Sequence, residues 1–193
     1  MASVSTQRLV LRTLLSLPSP ILRLLSGGGV VYRGGRTLDP RLQFLAAQAA
    51  GQPGMSTQTP DEARRASAQA FAAMTAPIEP GVRVETLTIP GPGGEIPARA
   101  YRPEVQDPAM PILVYAHMGG GVIGDLDTCE AFCGLLAKIV RCPVVSVDYR
   151  LAPEHRNPAG LEDVLAAYRW AREHAARFGA SQGQAAIGGD SMG

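Results

Sequence analysis

The residues Gly189-Asp190-Ser191-Met192-Gly193 have the pattern G-x-S-x-G, in which two small residues flank a serine. When a short strand precedes this pattern, the serine can occupy a strained strand-to-helix turn, where a side chain at either glycine would collide with the backbone. A serine held in this way is suited to nucleophilic catalysis. The pattern is equally compatible with an ordinary glycine-rich turn, so by itself it does not decide between the two interpretations.

A second glycine-rich segment, residues 117–125, favours the catalytic interpretation. It follows the apolar stretch 111–116, which is bounded by turn signals and is predicted to be a buried strand. Glycine-rich backbone after a central strand offers N–H groups that can point at an oxyanion. A phosphate-binding loop is excluded, because the segment has no G-x-x-x-x-G-K-[ST] pattern, no nearby lysine and no G-x-G-x-x-G that opens a helix.

The elements around these motifs predict a sheet with helices on both faces, because strand and helix patterns alternate along the chain. Helices and loops are expected over residues 1–80, including helices at 39–50 and 59–75. From residue 81 onward we expect a strand hairpin at 82–89 and 95–101, buried strands at 111–116 and 143–147, a short strand at 184–189, and helices at 128–140 and 158–178.

Composition limits the classes of partner. Of the 193 residues, 46% are hydrophobic and 18% are charged, so the chain can bury a core. The net charge of +1 provides no field that would attract nucleic acid or an anionic membrane, and neither is expected as a partner.

Residues 1–38 contain no acidic residue, but their apolar run is too short and broken to span a membrane. A helical cap is favoured there over a membrane-surface helix or a transit peptide.

The three cysteines are Cys129, Cys133 and Cys142. An odd number without repeated spacing argues against a disulfide framework and favours a reducing, cytoplasmic compartment. Cys129 and Cys133 would share one helix face, where buried packing is favoured over a metal pair.

Three motifs in this order resemble the hormone-sensitive-lipase-like esterases of the α/β-hydrolase superfamily, namely residues 117–128, 148–155 and 189–193. The resemblance covers residues 80–193 well and the helical N-terminus only loosely. It implies an α/β-hydrolase core over 81–193 with an N-terminal helical cap over 1–80. It also implies a serine carboxylesterase that takes small, short-chain acyl esters through an acyl-enzyme, without a metal or organic cofactor. A homodimer is left open.

The resemblance further assigns roles to individual residues. Ser191 would be the nucleophile, and the backbone N–H groups of Gly119, Gly120 and Met192 would form the oxyanion hole. Met118 stands where the family has its first glycine. This departure leaves the three donors in place but raises the question whether the loop keeps the family's backbone geometry. Met192 stands where the family usually has alanine, and its longer side chain would narrow the pocket.

Other polar residues are expected to be structural. In this family the histidine base follows the nucleophile in the sequence, so His117 is assigned to the oxyanion loop rather than to proton transfer. His155 is expected to brace its loop, and His174 to be solvated. Two further expectations concern charged residues: an ion pair between Arg150 and Glu154, and a favourable effect of Glu162 and Asp163 on a helix dipole.

The chain ends two residues after Ser191, before the acid and histidine that the family would supply, so a truncated chain is expected. Two alternatives to the esterase stay open. One is a non-catalytic, receptor-like protein that binds a ligand with the same fold, and the other is an inactive fragment. An acid and a histidine following residue 193 would favour the enzyme.

Overall fold

The computed structural model describes residues 4–193. They divide into two compact units, of which the first ends at Thr59 and the second is Pro60–Gly193. The sequence predicts one helical segment over residues 1–80, whereas the boundary between the two units lies before the helix that starts at Pro60. A cap role for the N-terminal helices stays a prediction. In the described part of the chain, no helix combines the length and the apolar character that crossing a membrane requires.

The first unit is helical, with one small hairpin. Its elements are α1 (Val4–Leu15), α2 (Ser19–Leu25), β1 (Tyr32–Arg33), β2 (Arg36–Thr37), α3 (Pro40–Ala49) and a 3₁₀ turn at Met55–Thr57. Helix α3 begins as the sequence predicts, because the carboxylate of Asp39 accepts a hydrogen bond from the Arg41 N–H at 2.7 Å and Pro40 occupies the first helical position.

The second unit is built on a five-stranded mixed sheet. Its strands are β3 (Val82–Gly91), β4 (Gly94–Pro103), β5 (Ile112–Ala116), β6 (Val144–Val147) and β7 (Ala185–Gly189), in the spatial order β3-β4-β6-β5-β7. Strand β4 is antiparallel to both its neighbours, whereas β5 is parallel to β6 and β7. The predicted hairpin, the two predicted buried strands and the predicted short strand are therefore all present.

Helices α5 (Glu130–Val140) and α6 (Ala159–His174) lie on opposite faces of this sheet, and α4 (Pro60–Met74) precedes its first strand. Successive residues of β5 point to opposite faces, so Val114 packs in the cluster that contains Ala171 of α6, and Tyr115 packs with Cys133 of α5. Helix α6 continues as a 3₁₀ turn and ends at Gly179, whose φ of 83° is the left-handed conformation expected of a terminating glycine.

Candidate active site

The two glycine-rich segments leave the sheet side by side. Strands β5 and β7 are parallel, and their last residues, Ala116 and Gly189, are paired in register. The chain that follows each strand therefore emerges at the same edge of the sheet. This pairing brings the segment from His117 next to the segment that contains Ser191, although more than seventy positions separate them in the sequence.

Ser191 has the backbone conformation of a nucleophile elbow. Its φ is +56°, in the left-handed region that residues with a side chain rarely adopt. The turn closes with a hydrogen bond of 2.9 Å from the Gly193 N–H to the Asp190 carbonyl oxygen. A Cβ on Gly189 would overlap the Gly193 carbonyl carbon, and a Cβ on Gly193 would overlap the Ala116 carbonyl oxygen. Both glycines of the pattern are thus required sterically, as the sequence predicts.

The oxyanion loop, residues 117–125, turns on consecutive glycines with positive φ. The values are 142° at Gly119, 62° at Gly120 and 70° at Gly121. The Gly119 carbonyl oxygen accepts hydrogen bonds of 3.0 Å from the N–H groups of Val122 and Ile123. Within residues 4–193, the N–H groups of Gly119 and Gly120 have no hydrogen-bond acceptor, and the same holds for Met192. All three are available to an incoming ligand.

Cys129 connects the oxyanion loop to the elbow. Its side chain belongs to the buried cluster against which Met118 packs, and its sulfur donates a hydrogen bond to Asp190 Oδ1 at 3.9 Å. Burial, together with the nearby charge of Asp190, raises the pKa of Cys129 to about 11, so the group is a neutral thiol. The prediction of buried packing for Cys129 is confirmed, but its bridging contacts were not foreseen.

His117 is a fully buried part of the loop. Its ring stacks on Tyr149 with a centroid separation of 4.4 Å, and its Nδ1 lies 2.8 Å from the Met118 carbonyl oxygen. The Tyr149 hydroxyl donates to the His117 carbonyl oxygen at 2.7 Å. A Cβ on Gly124 would come within 2.5 Å of the His117 ring, so a glycine is needed there as well. These contacts fit the structural role assigned to His117.

The predicted ion pair between Arg150 and Glu154 is wrong. Arg150 instead binds Asp163, with its Nε 2.8 Å from Oδ2 and its Nη2 2.9 Å from Oδ1. Asp163 also accepts the backbone N–H of Arg150 at 3.0 Å and is only 1% exposed, so its role extends beyond the helix dipole. Glu154 pairs with Arg64 of α4, which lowers the pKa of Glu154 to about 2. The chain turns between Arg150 and Glu154, so their side chains reach different helices.

The two remaining histidines differ in their surroundings. His155 is exposed, and its backbone N–H donates to the Leu151 carbonyl oxygen at 2.9 Å. His174 is half-buried rather than solvated as expected. Its ring stacks on Trp170 at 4.5 Å, and its Nδ1 lies 2.8 Å from the Trp170 carbonyl oxygen, because a spacing of four residues places both rings on one face of α6.

Two cavities adjoin the oxyanion loop. A crevice of about 680 Å³ lies against the elbow, with Gly120, Gly121, Met192, Leu161, Val164 and Ile187 in its wall. Ser191 is exposed at the same end of the sheet, although it does not line the crevice. A cavity of about 560 Å³ lies on the α4 side of the loop, with Arg64, Phe71, Asp148 and Leu151 in its wall. The first cavity is the one beside the free N–H groups.

Comparisons with known proteins agree with this geometry. Residues 113–193 match the family model described as the alpha/beta hydrolase fold. The chain is 46% identical over 180 residues to the carboxylic ester hydrolase LipN of Mycobacterium tuberculosis, and the match covers 92% of this chain and 48% of that protein. It is 38% identical over 136 residues to an ethyl acetate hydrolase of Pseudomonas putida, covering 69% of this chain and 43% of that protein.

Solved structures give the same result. An ester hydrolase from the metagenome of Lake Arreo, in complex with a bipyridine phosphonate derivative, superposes with a TM-score of 0.70 and 36% identity, covering 92% of this chain and 51% of that one. The hyperthermophilic esterase of Pyrobaculum calidifontis gives a TM-score of 0.70 and 38% identity, with coverages of 78% and 48%.

The fold and the two glycine-rich turns are those of an α/β hydrolase. Within that superfamily, the relatives that match the chain are esterases of the hormone-sensitive-lipase-like family. The chain spans about half the length of these relatives.

Proposed function

We propose that the complete protein is a serine carboxylesterase, with Ser191 as its nucleophile. The observation that carries this proposal is the elbow conformation of Ser191, with φ +56°, beside three backbone N–H groups that have no acceptor within residues 4–193. Nucleophile and oxyanion donors thus lie at one edge of the sheet, which is what acyl transfer requires. The relatives' names, which include carboxylic ester hydrolase and carboxylesterase, support the same chemistry.

In the proposed reaction, Ser191 Oγ attacks the ester carbonyl carbon as its proton passes to a histidine base, which the family places after the nucleophile in the sequence. The carbonyl oxygen becomes an oxyanion and accepts hydrogen bonds from the N–H groups of Gly119, Gly120 and Met192. Collapse of the intermediate breaks the bond to the alcohol oxygen, which takes the proton, and leaves an acyl-enzyme. Water then hydrolyses the acyl-enzyme, which releases the acid and restores Ser191.

Small acyl groups are the proposed substrates. Met192 follows the nucleophile and lines the crevice, and its side chain would leave less room for a long acyl chain than the alanine that the family usually has there. Two relatives are named for acetate esters, the ethyl acetate hydrolase of Pseudomonas putida and an acetyl esterase of Salmonella schwarzengrund.

The three cysteines are buried free thiols, which supports the expectation of a reducing, cytoplasmic compartment. A homodimer stays an untested expectation.

The departure at Met118, where the family has glycine, is the feature of the chain that would favour the non-catalytic alternative. The Met118 side chain packs against the buried cluster that contains Tyr115, Cys129 and Cys133. The three N–H groups proposed as oxyanion donors have no acceptor within residues 4–193, so the departure is compatible with the proposed oxyanion hole.

The test is hydrolysis of p-nitrophenyl acetate, butyrate and octanoate by the complete protein. We expect the rate to fall with acyl length, and Ser191→Ala to abolish turnover without unfolding the protein. Ser181→Ala, in the loop before β7, is the matched control and should behave as wild type. A profile that rises toward octanoate would contradict the short-chain specificity, and near wild-type turnover by Ser191→Ala would contradict the serine mechanism.

A further inference from the structure

Arg64, on helix α4, contacts two separate loops near the proposed active site. Its Nε donates to the Val122 carbonyl oxygen of the oxyanion loop at 2.8 Å. Its Nη2 donates to the Ala152 carbonyl oxygen at 2.9 Å. Its two terminal nitrogens also bind the carboxylate of Glu154, at 2.9 and 2.6 Å. The planar guanidinium has five N–H donors in a fixed fork, and this geometry lets one side chain hold three acceptors at once.

The two loops that Arg64 holds are also joined to each other. The Ala152 N–H donates to the Gly121 carbonyl oxygen at 2.7 Å. Val122 and Gly121, the two residues of the oxyanion loop held in this way, directly follow the proposed donor Gly120. Arg64 therefore closes a network in which α4, the oxyanion loop and the loop after β6 fix one another.

The oxyanion loop needs such support because its backbone is intrinsically free. Gly119, Gly120 and Gly121 are three consecutive residues without a side chain, all at positive φ. Glycine restricts its own backbone less than any other residue, so the direction of each N–H depends on outside contacts. Oxyanion donors must be aligned before the reaction begins if they are to stabilise the transition state.

We propose that Arg64 is a positioning residue for the oxyanion hole, which acts by holding the Val122 and Ala152 carbonyl groups rather than by touching the substrate. The inference rests on the proposed esterase function. The proposed role of Arg64 goes beyond its ion pair with Glu154, because an exposed ion pair of that kind contributes little to stability on its own. The contacts with the two backbone carbonyls are what orient the loop.

Four variants of the complete protein separate these contributions. Arg64→Met removes every contact, whereas Glu154→Gln removes the ion pair with Glu154 and leaves in place the carbonyl contacts and the Asp61 carboxylate, 3.6 Å from Nη1. Arg64→Lys keeps the charge but lacks the fork that spans three acceptors. Arg65→Met is the matched control, because Arg65 is the next residue of the same helix and is exposed.

With p-nitrophenyl acetate, we expect Arg64→Met to lower kcat by about 10- to 100-fold, since a displacement of about 1 Å in a catalytic group can reduce the rate about 100-fold. KM should change little. Affinity for a trifluoromethyl ketone, which forms a tetrahedral oxyanion on the serine, should weaken by the same factor as kcat/KM. Glu154→Gln and Arg65→Met should stay near wild type, and Arg64→Lys should lie between wild type and Arg64→Met.

A merely structural role would reduce the fraction of folded enzyme without changing kcat per titrated active site, and that result would overturn the proposal. If Arg64→Met does not fold, Arg64→Lys decides, and an unchanged kcat in that variant counts against the proposal.

A second readout needs no turnover. Amide hydrogen exchange at Val122, Ile123 and Ala152 should be faster in Arg64→Met than in Arg65→Met, because these N–H groups lie in the network that Arg64 closes. Unchanged exchange would overturn the positioning role even if the enzyme is active. If the wild type hydrolyses no ester, the proposed function fails, while the exchange experiment still decides whether Arg64 holds the loop.

Discussion

Two neighbouring glycines of the oxyanion loop should respond very differently to alanine. Gly119 has φ +142°, and a Cβ there would overlap the Ile123 carbonyl oxygen. Gly120 has φ +62°, and within residues 4–193 no atom outside Gly120 and its two chain neighbours lies within 4 Å of the Cβ position. Both substitutions add one methyl group to the same turn, so the difference between them reports the steric contact at Gly119 together with the greater backbone strain there.

The expected magnitudes follow from these contacts. Gly119→Ala forces the turn open and sacrifices the two hydrogen bonds to the Gly119 carbonyl oxygen, at about 1 kcal/mol each. Residual backbone strain adds about 1–3 kcal/mol, so the free energy of unfolding should fall by about 3–5 kcal/mol. Gly120→Ala meets only the left-handed penalty of about 1–2 kcal/mol. Part of that penalty is offset, because alanine restricts the unfolded chain by about 0.4–1 kcal/mol more than glycine does.

Urea denaturation followed by circular dichroism measures both free energies, and ester hydrolysis measures the consequence for the oxyanion hole. We expect Gly119→Ala to be strongly destabilised and inactive, and Gly120→Ala to fold with measurable turnover. Equal losses of stability in the two variants would show that the turn is not packed against Ile123 as described, and the geometry of the donors would have to be redrawn.

Three further predictions concern the surroundings of the site. Asp163→Ala should lower the free energy of unfolding by about 1.5–3 kcal/mol in urea titrations, because the Arg150 backbone N–H loses a charged acceptor, whereas Glu162→Ala should have little effect. The thiol of Cys129, with its pKa raised to about 11, should stay protonated at pH 8 and resist a disulfide reagent until the protein unfolds; rapid native-state labelling would contradict its burial. Met118→Gly should change the relative kcat/KM for acetyl, butyryl and octanoyl esters by about tenfold, or ~1.4 kcal/mol. A uniform hundredfold fall in kcat for all three esters would show instead that the loop depends on Met118.

Features that depend on local backbone could be predicted from the sequence. The requirement for glycine at positions 189 and 193 follows from a tight turn after a strand, and the structure confirms it. Alternating apolar residues likewise predict the β3–β4 hairpin, because one face of that ribbon packs against the core. These inferences involve residues that are close in sequence, where a small set of conformations is available.

Contacts between distant residues could not be predicted in the same way. Arg64 and Glu154 are 90 positions apart, and Cys129 and Asp190 are 61 apart. Sequence proximity suggested the incorrect pair of Arg150 with Glu154, because nothing in the local pattern shows that the chain turns between them. The tertiary structure brings α4 against the two loops, and this placement distinguishes Arg64 from its neighbour Arg65.

The most direct test of the central claim is covalent labelling of the nucleophile. The complete protein would be incubated with an aryl fluorophosphonate, which transfers its phosphonyl group to an activated serine with loss of fluoride, and the modified peptide would be sequenced by mass spectrometry. We predict one phosphonyl group per molecule, attached to Ser191, with loss of esterase activity in proportion to labelling and no adduct in Ser191→Ala. A stoichiometric adduct on another residue, or full labelling of Ser191 with esterase activity intact, would contradict the account.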